Sequence, residues 1–129
     1  MTTTAAQMIA DANARIPGVT PAEARDRFTA GTCVLLDVRE PTEWETHIVG
    51  AVQVPRGILE FQADPASPRH NPALTADRQV IVFCRSGARA ALAAATLTDL
   101  GFTDVLNMTG GLTAWKDAGL PTADAHADI

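Results

Sequence analysis

Val80-Ile81-Val82-Phe83-Cys84-Arg85-Ser86-Gly87-Ala88-Arg89 is the stretch whose reading decides the fold. Four consecutive apolar residues, three of them β-branched, read as a strand. The run does not alternate with polar residues, so both faces of the strand are buried, as in a parallel sheet. A glycine-containing turn follows, then a helix from about Ala88 to Leu100 whose small apolar face is Ala91, Leu92, Ala95 and Leu100. Strand, tight loop and helix in this order form half of a βαβ unit.

Downstream, Gly101 suits the left-handed position that ends a helix, and Phe102 folds back as its hydrophobic contact. Val105-Leu106-Asn107-Met108 reads as the next strand, and Gly110-Gly111 leads into a last helix with Leu112 and Trp115 on one face, closed by Gly119 and Pro121. The tail frays from Thr122. Upstream, residues 5–16 place Ala5, Met8, Ile9, Ala12 and Ile16 at helical spacing. Pro17-Gly18 ends that helix. Thr20 is an N-cap with Pro21 in the first helical position and Glu23 in the third, which predicts a second helix to about Ala30. Cys33 to Val38 is another strand buried on both faces. Pro41 opens a short helix through Trp44 that ends near His47, and Ala51 to Val54 is a strand stopped by Pro55. Gly57 to Gln62 forms one helical turn or two. Residues 63–72 hold Pro65, Pro68 and Pro72 and read as a loop. Alternating strands and helices predict a parallel sheet with helices on both faces, and in such sheets sites gather at the carboxyl ends of the strands. Cys84 sits at that end of the most buried strand.

The whole chain bounds these readings. Its 129 residues make one domain of ordinary size. Fifteen acids against ten bases give a net charge of −5, which argues against a nucleic-acid or anionic-membrane binder. Two cysteines, Cys33 and Cys84, make no zinc site without further ligands at metal spacing, and no other metal site is read. No apolar run spans a bilayer, and the first residues lack the pattern of a signal peptide. The expected setting is therefore a reducing cytoplasm in which both cysteines are thiols. The expected organisation is an N-terminal helical extension over 1–16, a domain over 17–121 and a flexible tail over 122–129.

Three features favour the thiolate of Cys84. Backbone N–H groups of a tight loop form an anion nest. The helix that begins near Ala88 adds the positive end of its dipole. Arg85 and Arg89 add two charges, and no acid lies within the loop. A merely structural cysteine explains neither the glycine nor the two arginines.

Four segments then carry a family likeness: Leu36-Asp37-Val38-Arg39-Glu40-Pro41, His47-Ile48-Val49-Gly50-Ala51, the loop Cys84 to Arg89, and Gly110-Gly111-Leu112-Thr113-Ala114-Trp115. In this order, over roughly residues 20–120, the chain resembles single-domain rhodaneses, which are sulfurtransferases. The resemblance implies a three-layer α/β fold with a central five-stranded parallel sheet flanked by helices. It implies that Cys84 takes sulfane sulfur as a persulfide, with Arg85, Ser86, Gly87, Ala88 and Arg89 binding the donor and the persulfide charge. Related phosphatases and arsenate reductases place five residues between cysteine and arginine; here four separate Cys84 from Arg89, which implies a cradle sized for a persulfide. Arg85 looks like the thiosulfate-using branch. Family loops often carry Ser or Thr where this chain has Arg89 or Ala90, so that hydroxyl is missing at Ala90. The implied reaction moves sulfur from a donor such as thiosulfate to cyanide in vitro or to a cellular thiol, including a thiol-bearing protein, with no metal or organic cofactor. The alternative is a sulfur-carrier, sensing or binding module without efficient turnover. A monomer and a homodimer both fit.

The remaining candidates have two readings each. Asp37 and Arg39 either support the loop electrostatically or form an internal ion pair that fixes a turn, and the ion pair leads. His47 caps or packs; Cys33 is a small core hydrophobe rather than a resolving thiol; Trp44 and Trp115 are core. Arg56 to Phe61 crosses over the sheet or lines the rim of the loop. Residues 63–72, with Arg69 and His70, are a plain loop or a partner contact. The helix over 5–16 packs on its own domain or makes a dimer contact.

Overall fold

The computed structural model describes residues 2–125. In chain order its helices are α1 (Ala5–Arg15), α2 (Pro21–Thr29), α3 (Leu59–Ala63), α4 (Ala88–Asp99) and α5 (Gly111–Asp117). Its strands are β1 (Gly18–Val19), β2 (Val34–Asp37), β3 (Thr46–His47), β4 (Val52–Gln53), β5 (Val80–Phe83), β6 (Val105–Met108) and β7 (Ala123–Asp124). Five of them build one parallel sheet in the order β1-β6-β5-β2-β4. The fold is therefore the α/β architecture expected, with β5 in the middle.

The alternation of side chains along β5 divides the core into two layers. Val80, Val82 and Cys84 face a cluster with Ile16, Leu59, Ala90, Ala93, Ala94 and Leu97, which come from the end of α1, from α3 and from α4. Ile81 and Phe83 face the opposite cluster with Ala24, Leu112 and Trp115 from α2 and α5. The buried face of α4 is thus Ala90, Ala91, Ala93, Ala94 and Leu97. The expected face is partly displaced: Ala91 is buried, whereas Leu92 and Ala95 are half-buried beside α1 and Leu100 is exposed. Alanines at the sheet interface let α4 approach the strands closely. The N-terminal helix packs on its own fold, with Ala12 and Ile16 buried and Arg15 bound to Asp99 at 2.6 Å.

Cap chemistry is as the residues dictate. Thr20 and Glu23 form a reciprocal capping box on α2. Gly101, at φ +100°, ends α4, and the Phe102 N–H donates to the Leu97 carbonyl while its ring is buried.

Four elements differ from expectation. The edge strand β1 occupies Gly18–Val19, where Pro17-Gly18 reads only as a helix stop; two residues are too short to show a period. It forms because the Asn107 N–H donates to the Pro17 carbonyl at 3.0 Å and the Thr109 N–H to that of Val19 at 2.8 Å. The helix expected from Pro41 stops after one 3-10 turn, Pro41–Glu43. The chain then enters β3, which pairs antiparallel with β7, so residues 123–125 are paired where fraying is expected. The Ala125 N–H closes this ribbon on the Glu45 carbonyl. The rest of the expected tail, residues 126–129, lies outside the described residues. Trp115 is core, and its Nε1–H donates to the Pro121 carbonyl at 2.9 Å. Trp44 is only half-buried, because the chain turns outward into the ribbon. Among the described residues no helix is long and apolar enough to cross a membrane.

Candidate active site

The end of β5 delivers Cys84 into the loop that precedes α4. Its side chain lies beneath that loop, with the residue only 1% exposed. Two backbone donors point at Sγ: the N–H of Gly87 at 3.1 Å and that of Ala90, in the first turn of α4, at 3.4 Å. Gly87 has φ +123°, a conformation that glycine adopts without strain and other residues rarely do. These two N–H groups form a cradle of donors around the sulfur. Ala90, singled out in the sequence for its missing hydroxyl, thus contributes through its backbone.

A second glycine fixes the loop from the other side. The N–H groups of Leu112 and Thr113, at the start of α5, donate to the carbonyls of Cys84 at 2.8 Å and Arg85 at 3.0 Å. This docking leaves no room at Gly111: a Cβ there would lie 2.5 Å from the Cys84 carbonyl oxygen, at a φ of +60°. Gly111→Ala is therefore expected to destabilise the protein by about 2–4 kcal/mol, from overpacking and backbone strain together. Urea denaturation measures it, and an unchanged midpoint would contradict the close docking.

The two loop arginines do different things. Arg89 grips Glu43 with both terminal nitrogens, at 2.6 and 3.0 Å. No acid lies within the loop, as its residues show, but Glu43, 46 residues upstream, reaches Arg89 through the fold. Arg85 is exposed and forms no ion pair among the described residues. It lines a cleft of about 350 Å3 together with Glu43, Thr46, Thr113 and Lys116. Ser86 and Ala88 are exposed on the loop surface.

The hydrogen bonds from Arg89 hold the Glu43 carboxyl down at about 2, with smaller help from the Glu40 N–H. The same pairing raises Arg89. A depressed carboxylate contributes stability that is present above its ordinary value near 4.5 and is lost as pH falls toward 2. NMR titration is expected to show Glu43 protonating near 2 in the parent protein and within the ordinary carboxylate range in Arg89→Ala. An ordinary midpoint in the parent protein would contradict the pairing.

Asp37 and Arg39 form the internal ion pair. Asp37 is fully buried and Arg39 is 4% exposed. The guanidinium forks onto Asp37, with Nε–H to Oδ1 at 3.0 Å and Nη2–H to Oδ2 at 2.9 Å. Its remaining donors reach the carbonyls of Glu43 at 2.8 Å and Thr46 at 2.9 Å. The pair therefore pins the segment that carries Glu43, and neither residue bonds Cys84. Sequence reasoning missed Glu43, although its place in the capping turn after Pro41 is visible. It also missed Asn107, whose Nδ2–H donates to the Gly87 carbonyl at 3.4 Å. A polar residue inside a buried strand is the signal that pointed to it.

The other candidates lie elsewhere. His47 is in β3, its Nδ1 bonded to the Trp44 carbonyl at 3.2 Å. Arg56 ties α3 to α4 through Glu60 at 3.0 Å and Thr96 at 3.0 Å, which is the crossover reading. In the 63–72 loop the Arg69 N–H bonds Ser67 and the His70 ring bonds the Leu74 carbonyl. Cys33 packs in the opposite core layer, and burial pushes its thiol up. It precedes β2 at one end of the sheet while Cys84 follows β5 at the other, about 16 Å along the strand direction. Both cysteines are free.

Comparisons with known proteins place the chain in a family. The family model for the rhodanese-like domain matches residues 20–118. Over 114 residues the chain is 36% identical to thiosulfate sulfurtransferase 16, chloroplastic, of Arabidopsis thaliana, covering 84% of this chain and 94% of that protein. It is 35% identical over 99 residues to the probable adenylyltransferase/sulfurtransferase MoeZ of Mycobacterium tuberculosis, covering 75% of this chain but 24% of MoeZ. The chain thus spans about a quarter of the length of that relative. Among solved structures, a protein of unknown function from Rhodopseudomonas palustris, described as a possible tyrosine phosphatase, superposes with a TM-score of 0.86 at 37% identity over 94% of this chain and 95% of that one.

Proposed function

The chain belongs to the rhodanese-like domain family, and on that premise we propose that it transfers sulfane sulfur through a persulfide on Cys84. Sulfurtransferases among its relatives support a sulfur-transfer role. The observation that carries the finer reading is the Sγ of Cys84 held by the N–H groups of Gly87 and Ala90, beside an Arg85 with no ion pair among the described residues. In the first half-reaction the thiolate attacks the outer sulfur of thiosulfate. A new S–S bond forms at Sγ, the S–S bond of thiosulfate breaks, and its electron pair leaves with sulfite. Arg85 meets the sulfonate end of the donor, and the loop N–H groups hold the charge on the outer sulfur, an oxyanion-hole logic applied to sulfur. A thiophilic acceptor, cyanide in a test tube or a thiol, then removes that sulfur. Arg89 acts at one remove, anchoring α4 through Glu43.

Such a double displacement gives parallel lines in double-reciprocal plots of rate against thiosulfate at several cyanide concentrations. Intersecting lines would contradict a covalent sulfur intermediate. The solved relative described as a possible tyrosine phosphatase raises a second reading, phosphate-ester hydrolysis. Against it stand the four-residue spacing from Cys84 to Arg89 and the commitment of both terminal nitrogens of Arg89 to Glu43. No hydrolysis of an aryl phosphate is expected; turnover that vanishes in Cys84→Ser would favour the phosphatase.

A further inference from the structure

The cleft beside Arg85 holds more charge than the Cys84 loop brings to it. Arg39, Glu43, Lys116 and Asp117 also line it. Two of these are committed elsewhere: the Arg39 guanidinium to Asp37 and two carbonyls, the Glu43 carboxylate to Arg89. Arg85, Lys116 and Asp117 are exposed and form no ion pair among the described residues. The cleft therefore presents two cations and one anion to whatever enters it. Lys116 is the chain's single lysine and stands in the last turn of α5. A helix C-terminus favours a cation on its own account, so that place alone gives Lys116 no role. Its neighbours do. The N–H groups of Leu112 and Thr113 dock α5 onto the carbonyls of Cys84 and Arg85, and both residues line the same cleft. Lys116 follows them by four and three positions, which sets it on the same face of the helix, one turn further from the loop.

We propose that Lys116 is a specificity-determining residue for the sulfur donor: with Arg85 it makes the cleft prefer a donor carrying two negative charges over one carrying a single charge, and Asp117 moderates that preference. This rests on the sulfur-transfer reading and adds the donor's charge to it. Thiosulfate and an organic thiosulfonate offer the Cys84 thiolate the same kind of outer sulfur. With either, a bond forms from Sγ to that sulfur, the S–S bond of the donor breaks, and its electron pair leaves with sulfite or with a sulfinate. Sulfite departs with two negative charges and the sulfinate with one. Arg85 answers one charge in both cases; the second charge of thiosulfate and sulfite is the one that Lys116 answers. Lys116 acts through the field of the cleft and needs no contact with the sulfur. Because the interaction crosses solvent, it is screened by salt and amounts to a few-fold in rate.

The readout is the ratio of kcat/KM for thiosulfate to that for methanethiosulfonate, at low ionic strength with cyanide as acceptor. Lys116 is exposed, so its replacement leaves the core intact. Lys116→Gln is expected to lower the ratio about fivefold, Lys116→Arg to keep it, and Asp117→Asn to raise it about twofold. Raising the ionic strength to about 0.5 M should close most of the gap between the parent protein and Lys116→Gln. A side chain that merely supports the fold slows both donors alike, so an unchanged ratio in Lys116→Gln would overturn the assignment. An equal fall in Lys116→Arg, a fall in Asp117→Asn, or a gap that salt does not narrow would overturn it too, because the charge would not be the cause. If the parent protein moves sulfur from neither donor, the sulfur-transfer reading falls, and this inference with it. If it moves sulfur and the ratio ignores Lys116, that reading stands and Lys116 alone is withdrawn.

Discussion

Replacing Cys84 with serine is expected to reduce sulfur transfer from thiosulfate to cyanide to the rate measured without protein. The substitution is nearly isosteric, and the serine oxygen accepts the same two hydrogen bonds from Gly87 and Ala90. The fold should therefore lose less than about 1 kcal/mol. What disappears is the nucleophile: a hydroxyl is not ionised at neutral pH, and it cannot form the S–S bond that stores the sulfur. The comparison is Cys33→Ser. That residue lies in the other core layer, so its replacement should lower stability while leaving transfer intact below the unfolding transition. Transfer retained in Cys84→Ser, or lost only in Cys33→Ser, would place the chemistry elsewhere.

The largest stability effect is expected at Asp37. Asp37→Ala leaves the guanidinium of Arg39 buried with two carbonyls and no counter-charge. Breaking one side of a buried ion pair in this way costs about 3–5 kcal/mol. The urea midpoint should fall accordingly, and Arg39→Ala should cost a similar amount for the mirror-image reason. The double variant Asp37→Leu with Arg39→Met should lose less than the sum of the two single losses, because neither charge is then left unpaired. Additive losses would contradict the pairing. Neither side chain bonds Cys84, so the double variant, measured well below its midpoint, should still transfer sulfur. Loss of transfer in a folded double variant would revive the electrostatic role for this pair.

What could be read from the sequence follows from the range of each interaction. The cap of α2 was legible because Thr20, Pro21 and Glu23 act within one helical turn. Strand β5 and its loop were legible because four apolar residues and a glycine sit together. The resemblance implies five strands, while the residues themselves display four. The fifth, Gly18–Val19, is specified by the carbonyls it offers to β6 rather than by side chains. Pairing of β3 with β7 brings together residues 78 positions apart, as in the Thr46 hydroxyl donating to Asp124 at 2.9 Å. The same limit hid the partner of Arg89. Local reading found two cations and no acid inside the loop; the fold supplies Glu43 to one of them. The face of α4 was partly displaced because alanines dominate the helix, and only the placement of α1 distinguishes one set from another. Asp37 and Arg39 were two residues apart, close enough for the ion-pair reading to be available from the start.

The most direct test of the central claim is the mass of the peptide that contains Cys84 after the protein has met thiosulfate without an acceptor. The account predicts a peptide heavier by one sulfur atom, a gain that reverses on adding cyanide and is absent from Cys84→Ser and from the peptide that contains Cys33. An unmodified Cys84 peptide under conditions in which the protein transfers sulfur would contradict it.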